Sequence, residues 1–433
     1  MAKFIVKGGR PLFGEVQVAG AKNAASKMFV ASLLTAERCI FKSVPAIGEL
    51  EIVKELLANI GTEIDVAGPT ASVATPVIKN NRVTQLSRKN RIPILALGPL
   101  LARTGEAEVP VLGGDKIGAR PVDIHLDGLK QLGAEITSDE NFFYASAPQG
   151  LKGATITLRY PSVGATENLI LASVLAKGRT TIHNAAVEPE IMDIILLLQK
   201  MGAIIGLGSD RTIFIEGVEK LHGARHRILP DRNEAVSFAC LGLASPGNEV
   251  KVKYAVQKDL ITFLNAVRKI GGEYRIEDDG IVFYRTKDLI ANELETDTHP
   301  GFMTDWQQPF LILLTQANGT SVIHETVYDD RFGYTAELNA MGANITVFSK
   351  CLGELVCRFN GQGHPHSAVV SGPTPLRGTT LKVRDLRAGM AHLIAALIAD
   401  GETIIDGIEE IDRGYADLDE RLINLGANIT RSV

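Results

Sequence analysis

The stretch Val111-Leu112-Gly113-Gly114-Asp115-Lys116-Ile117-Gly118-Ala119-Arg120-Pro121-Val122-Asp123 sets one acid, Asp115, beside two cations, Lys116 and Arg120, on a backbone loosened by three glycines. Such a loop can close over a bound anion and bring a proton donor with it. The same residue types also build ordinary solvated turns, so the loop needs support from elsewhere in the chain. That support comes from cations at predicted helix starts, where the helix dipole disfavours positive charge. Lys22 opens a helix through Phe29, Arg91 precedes 94–103, Arg331 precedes 334–341, Arg387 opens a helix through Ile398, and Arg413 precedes 415–425. A set of cations repeated at such places suits bound phosphate or carboxylate; pairing with neighbours such as Asp385 or Asp412 is the plainer alternative. The helix start Pro161-Ser162-Val163-Gly164-Ala165-Thr166 offers small residues and free N–H groups to a phosphate, or simply a helix cap.

The elements that position these residues form a sixfold repeat. A helix, a glycine and a short strand recur at Ile60-Gly61-Thr62, Leu132-Gly133-Ala134, Met201-Gly202-Ala203, Ile270-Gly271-Gly272, Met341-Gly342-Ala343 and Leu425-Gly426-Ala427. Successive glycines lie 72, 69, 69, 71 and 84 residues apart, and only the last interval leaves room for an insertion, around Asn360 to His366. Each unit carries a second, more apolar helix upstream, as in Ala388 to Leu397, which belongs in an interior. Two helices and several strands per unit predict a mixed α/β fold of two domains with three units each. The predicted domains are 21–230, carrying the 111–123 loop, and 1–20 plus 231–433, completed by the N-terminal strand.

Composition limits the partners. At 433 residues the chain exceeds one ordinary core. A net charge of -5 argues against nucleic acid, and no apolar run reaches membrane-spanning length. The N-terminus shows no signal-peptide core, which with four scattered cysteines predicts a cytoplasmic, reduced protein. Cys39, Cys240, Cys351 and Cys357 form no CxxC pair, an argument against a zinc site. No Walker motif or complete dinucleotide fingerprint supports ATP or NAD.

With these residues in view, the whole chain resembles the enolpyruvyl transferase family, in its peptidoglycan-synthesis branch. The motifs are Gly20-Ala21-Lys22-Asn23-Ala24-Ala25, Ala96-Leu97-Gly98-Pro99-Leu100, Ile117-Gly118-Ala119-Arg120-Pro121-Val122-Asp123, Ser162-Val163-Gly164-Ala165-Thr166, Thr304-Asp305 and Ile411-Asp412-Arg413-Gly414-Tyr415. The resemblance implies an inside-out α/β barrel of two domains and six units. It also implies transfer of the enolpyruvyl group of phosphoenolpyruvate to the 3-hydroxyl of UDP-N-acetylglucosamine, by addition and then elimination of phosphate, as the first committed step of peptidoglycan synthesis. No metal or organic cofactor is implied. Lys22, Arg120 and Arg413 would hold phosphoenolpyruvate, Asp115 would protonate its C3, and Asp305 would be the base; the bland role for Asp305 is a helix cap. Asn23, Arg91, Pro121, Val122, Asp123, Ile124, Ser162, Val163, Gly164, Val327, Arg331 and Arg387 would complete the binding site. Domain closure on ligand binding follows if both halves supply cations.

Several positions depart from the family pattern. Asp115 stands where most members carry Cys, which predicts insensitivity to fosfomycin, since a carboxylate is the poorer nucleophile toward its epoxide. Ile92-Pro93 replaces Ala-Ser, Arg159-Tyr160 replaces a Lys, Met303 replaces Pro, Asn233 replaces an apolar residue, and the insertion near 350–380 has no counterpart. These differences keep two alternatives in play, an enolpyruvyl transferase for another nucleotide sugar or for shikimate 3-phosphate, and a non-catalytic sugar-nucleotide binder. The sequence leaves the oligomeric state open.

Overall fold

The six glycines that mark the repeat each follow a helix and adopt left-handed backbone, with φ between 83° and 106°. A residue with a Cβ is strained there, so glycine is the natural helix terminator. This turn returns the chain antiparallel into the next strand, and its sixfold use produces the architecture. A computed structural model describes residues 2–84, 86–87, 91–111, 113, 122–354 and 356–432. Most of the loop singled out above, including Asp115, Lys116, Arg120 and Pro121, lies outside the described residues.

Among the described residues the strands form five four-stranded sheets and one three-stranded sheet. Each four-stranded sheet has one parallel pair followed by two antiparallel pairs. One example runs Thr155–Thr157 parallel to Arg179–His183, which pairs antiparallel with Ile213–Glu216, then Ile204–Leu207. In the three-stranded sheet the fourth strand shrinks to a single parallel bridge, Arg82 to Glu108.

Two compact units divide these sheets equally, one of residues 2–19 and 230–432, the other of residues 20–111 and 122–229. In the first unit, helix Thr304–Thr315 packs against helices Arg232–Ala244 and Leu386–Ile398. All of Arg232–Ala244 is buried, as is every residue of Thr304–Thr315 except Asp305. A helix apolar on all faces has nowhere stable but an interior, and the sheets provide it. In the second unit helix Val163–Ser173 packs on Leu97–Thr104 and on Asp123–Gln131. The arrangement is the expected inside-out α/β fold, with helices within and sheets around them.

The chain crosses from one unit to the other at 19–20 and returns at 229–230. Phe13–Gln17 therefore pairs in parallel with Glu249–Lys253, and Arg225–Arg227 with Cys39–Lys42. The first strand, Lys3–Lys7, lies between Glu402–Asp406 and the last strand, Asn428–Ser432. The two ends of the chain are thus hydrogen-bonded neighbours.

Candidate functional site

In the first unit the structure brings three sequence-predicted residues into contact. Arg331 Nη2 donates to Asp305 Oδ1 at 2.6 Å, and Arg387 Nε donates to Asp305 Oδ2 at 3.2 Å. Both guanidinium groups are almost fully buried, while Asp305 keeps 23% of its side chain exposed. Burial opposes the charge on Arg387, but the oxygens of Tyr415 and Asp305 outweigh it and its pKa rises. Arg331 shows the same balance, with Asp305 and Asp385 offsetting burial. Arg387 Nη1 also donates to Tyr415 Oη at 2.9 Å, and that hydroxyl is 2.7 Å from Ser237 Oγ.

The local sequence explains how the three meet. Asp305 is the second residue of its helix, and Met303 occupies the cap position without a side-chain bond, so Asp305 is not the helix cap. Pro309 follows one turn later; it has no N–H to give the Asp305 carbonyl. Asp385 caps Leu386–Ile398 by accepting from Arg387 N and Ala388 N, so it does not serve as the ion-pair partner of Arg387. Buried Glu325, which the sequence reading passed over, accepts from Val327 N at 2.9 Å, Tyr328 N at 3.1 Å and Thr304 Oγ1 at 3.0 Å. It ties the Val327 segment to the start of the Asp305 helix. Asn233, a departure from the family, accepts from buried Trp306 Nε1 at 2.9 Å, a polar partner that an apolar residue could not give.

Arg413 corrects the expected pattern. It ends the short helix Glu409–Asp412, the next helix begins only at Leu418, and its Nη1 donates to Glu410 Oε2 at 2.8 Å. A cation at a helix C-terminus complements the dipole. Asp412 is paired with Arg431 instead of Arg413.

In the second unit Lys22 is the first residue of helix Lys22–Ala31, with its Nζ 3.9 Å from Glu49 Oε1. Asn23 offers its carbonyl to Lys27 Nζ at 2.8 Å. Lys27 also lies 3.8 Å from Glu167 Oε1, a carboxyl whose burial pushes its pKa to about 7 against the pull of Lys27. Arg91 precedes the 3₁₀ turn Ile92–Ala96, which runs into helix Leu97–Thr104. Pro93 falls in the first turn of that 3₁₀ segment, where a missing N–H costs nothing.

Ser162 caps Val163–Ser173, its Oγ accepting from Ala165 N at 3.3 Å. Val122 precedes helix Asp123–Gln131, and Ile124 N donates to Asp123 Oδ1 at 2.9 Å. Arg159 donates to Asp123 Oδ2, and this bond holds the Asp123 carboxyl below its usual pKa. The Arg159 departure therefore acts directly on a predicted substrate contact.

Buried His125, two residues after Asp123, joins these pieces and went unnoticed in the sequence. Its Nδ1 lies 3.3 Å from Asn168 Nδ2, which also donates to the Ile94 carbonyl at 3.2 Å. A Cβ added at Gly164 would stand 3.0 Å from His125 Cε1, so the glycine admits the ring. Burial, with the charge of Arg91 assisting, lowers the His125 pKa to about 3, and the ring is neutral. Its position two residues beyond Asp123, in the turn that follows the Gly-rich loop, was the available signal.

Polar groups at helix starts and two buried arginines on one partly exposed carboxylate suit the binding of anionic ligands. The family described as EPSP synthase (3-phosphoshikimate 1-carboxyvinyltransferase) matches residues 6–422. Proteins named UDP-N-acetylglucosamine 1-carboxyvinyltransferase are similar over nearly the whole chain. That of Protochlamydia amoebophila is 49% identical, covering 98% of this chain and 93% of the relative. That of Chlamydia pneumoniae is 50% identical, with 96% and 92% covered, and that of Gluconobacter oxydans 42%, with 100% and 99% covered. Among solved structures, the enolpyruvyl transferase NikO from Streptomyces tendae superposes with a TM-score of 0.86 at 24% identity, covering 100% of this chain and 99% of that one. EPSP synthase from Acinetobacter baumannii gives 0.74 at 16%, with both chains covered in full. The chain belongs to the carboxyvinyltransferase family, and its sequence relatives are the UDP-N-acetylglucosamine 1-carboxyvinyltransferases.

Proposed function

We propose that this enzyme transfers the enolpyruvyl group of phosphoenolpyruvate to the 3-hydroxyl of UDP-N-acetylglucosamine and releases phosphate, in the cytoplasm, as the first committed step of peptidoglycan synthesis. Near-full-length similarity to carboxyvinyltransferases supports the reaction class. The observation that carries the site assignment is the grip of buried Arg331 and Arg387 on Asp305.

The sugar oxygen attacks C2 of phosphoenolpyruvate while C3 takes a proton from Asp115, giving a tetrahedral intermediate. Loss of a C3 proton then restores the double bond as the C2–O bond to phosphate breaks. Lys22, Arg120 and Arg413 hold the phosphate and carboxylate, where fixed cations stabilise charge without reorganising. Arg91 and Arg387 reinforce them. Asn23, Pro121, Val122, Asp123, Ile124, Ser162, Val163, Gly164 and Val327 line the nucleotide-sugar site.

Asp305 takes the hydroxyl proton. Two guanidinium groups occupy its oxygens. An incoming anion competes for those groups, so substrate arrival itself frees the base. Phosphate release from phosphoenolpyruvate with UDP-N-acetylglucosamine tests this. The wild type is expected to turn over, and Asp305→Asn to fall by about 10²–10⁴-fold, the usual share of general acid–base catalysis. A folded wild type that releases no phosphate refutes the reaction, and an Asp305→Asn variant of full activity refutes the base.

A further inference from the structure

The insertion in the last repeat brings four metal-ligating side chains together. His324, Cys351, Cys357 and His366 place one donor atom each within 4.8 Å of one another. Cys351 Sγ is 3.6 Å from Cys357 Sγ and 3.4 Å from His366 Nε2. For tetrahedral zinc, bonds of about 2.3 Å to sulfur and about 2.05 Å to nitrogen set S···S near ~3.8 Å and S···N near ~3.6 Å. The measured spacings need only small adjustment to meet these values. We propose that these four residues bind one zinc-class divalent ion in a closed, structural site.

Hydrogen bonds outside the cluster prepare both histidines as ligands. His366 Nδ1 lies 2.6 Å from the His364 carbonyl, which can only accept, so Nδ1 carries the proton and Nε2 the lone pair. Ser367 Oγ gives its own proton to the Lys350 carbonyl, so it accepts from His324 Nδ1 at 2.8 Å. That leaves His324 Nε2, fully buried and without a hydrogen-bond partner, as a lone pair. Glu295 Oε1 stands 3.9 Å from it, beyond hydrogen-bond range. Second bonds of this kind fix ring tautomer and orientation at metal sites.

The cysteines fit as well. Phe359 N donates to Cys357 Sγ at 3.3 Å, which orients the sulfur. Two thiolates and two neutral imidazoles balance a divalent ion, so the half-buried site carries no net charge. A Cβ on Gly353 would come within 2.6 Å of His324 Cδ2, so the loop between the cysteines packs directly on the ligand. The sequence argument against zinc rested on the lack of a CxxC pair. Here five residues separate the two cysteines, one histidine comes from a strand end and the other from beyond the loop. Both cysteines are also partly exposed.

The test is metal analysis of protein purified without chelator, then stripped and refilled with Zn²⁺ or Co²⁺. About one ion per chain is expected, and the cobalt form should show tetrahedral d–d bands with thiolate-to-cobalt charge transfer. The Cys351→Ser/Cys357→Ser double variant should lose at least nine-tenths of the bound ion, whereas His364→Ala, beside the cluster but outside it, should keep it. Refilled wild type that takes up no ion overturns the proposal, without reference to whether the variants fold. So does a cobalt spectrum lacking sulfur ligation, or a folded double variant that binds as much metal as the parent.

Discussion

Asp305 holds two buried arginines and remains partly open to solvent, a combination that separates holding from reacting. Arg387→Lys keeps the charge but loses the planar fork that reaches both Asp305 and Tyr415. Its kcat/KM for phosphoenolpyruvate should fall by about 10-fold or more, the value of one charge-assisted hydrogen bond at roughly 1.5–3 kcal/mol; steady-state kinetics that match the parent would remove Arg387 from the site. His125 makes a pH prediction. Its ring protonates near pH 6.5 when unfolded but only at about 3 when folded. Between those values the unfolded chain binds the extra proton, so this contribution to stability shrinks as pH falls, by up to about 1.4 kcal/mol per unit. Urea midpoints taken from neutral to acid pH should decline less steeply in His125→Gln, and parallel curves would contradict the assignment. Asp115 predicts resistance to fosfomycin. Asp115→Cys should gain time-dependent inactivation with a covalent adduct by mass spectrometry, and a parent that is itself inactivated at low concentration would refute the reading.

At the scale of elements, the repeat was legible because its punctuation is physical. Gly61, Gly133, Gly202, Gly271, Gly342 and Gly426 all need left-handed backbone after a helix, and that need repeats wherever the unit does. The buried helices were legible for a similar reason, having no polar face. Helix starts were less secure. Arg413 looked like the opening of a helix, yet the chain makes a short helix before it and a turn after it. Neither Glu325 nor His125 stood out, because each acts by joining segments far apart in sequence. The four-residue cluster was illegible for the same reason, with His324 ending one strand and His366 preceding its neighbour. That cluster also touches the neighbouring segment, since Glu325 N donates to the His366 carbonyl at 2.8 Å and Arg358 donates to the Val327 carbonyl. An ion in thousandfold excess over its Kd adds about 4 kcal/mol, so chelation should lower the melting temperature by roughly 8–16 °C. A scanning-calorimetry trace unchanged by chelator would count against a structural ion.

For the whole molecule, six similar sheets are arranged three to a unit, and in the first unit the buried helices of all three repeats share one core. The strands exchanged at the crossings and at the chain ends tie distant parts of the sequence together as well. Phe4 and Val6, on the first strand, are fully buried in the last repeat's sheet. Phe4→Ala should cost about 3–5 kcal/mol, as large aromatic truncations do, and calorimetry should find that loss in the unit of residues 2–19 and 230–432. A variant as stable as the parent would mean that the strand adds little beyond the sheet it enters. The two-unit organisation could be inferred from the count of repeats, whereas the exchange of strands required seeing which edges pair.

The pairing of the chain's first strand with its last has a consequence for biosynthesis. Lys3–Lys7 is synthesised well before both of its neighbours, Glu402–Asp406 and Asn428–Ser432. At about 5–20 residues per second, that strand waits roughly 20–80 s with both edges open. An apolar segment in that condition is a site for mispairing with another nascent chain. Lysines at both of its ends, Lys3 and Lys7, keep it charged through the wait.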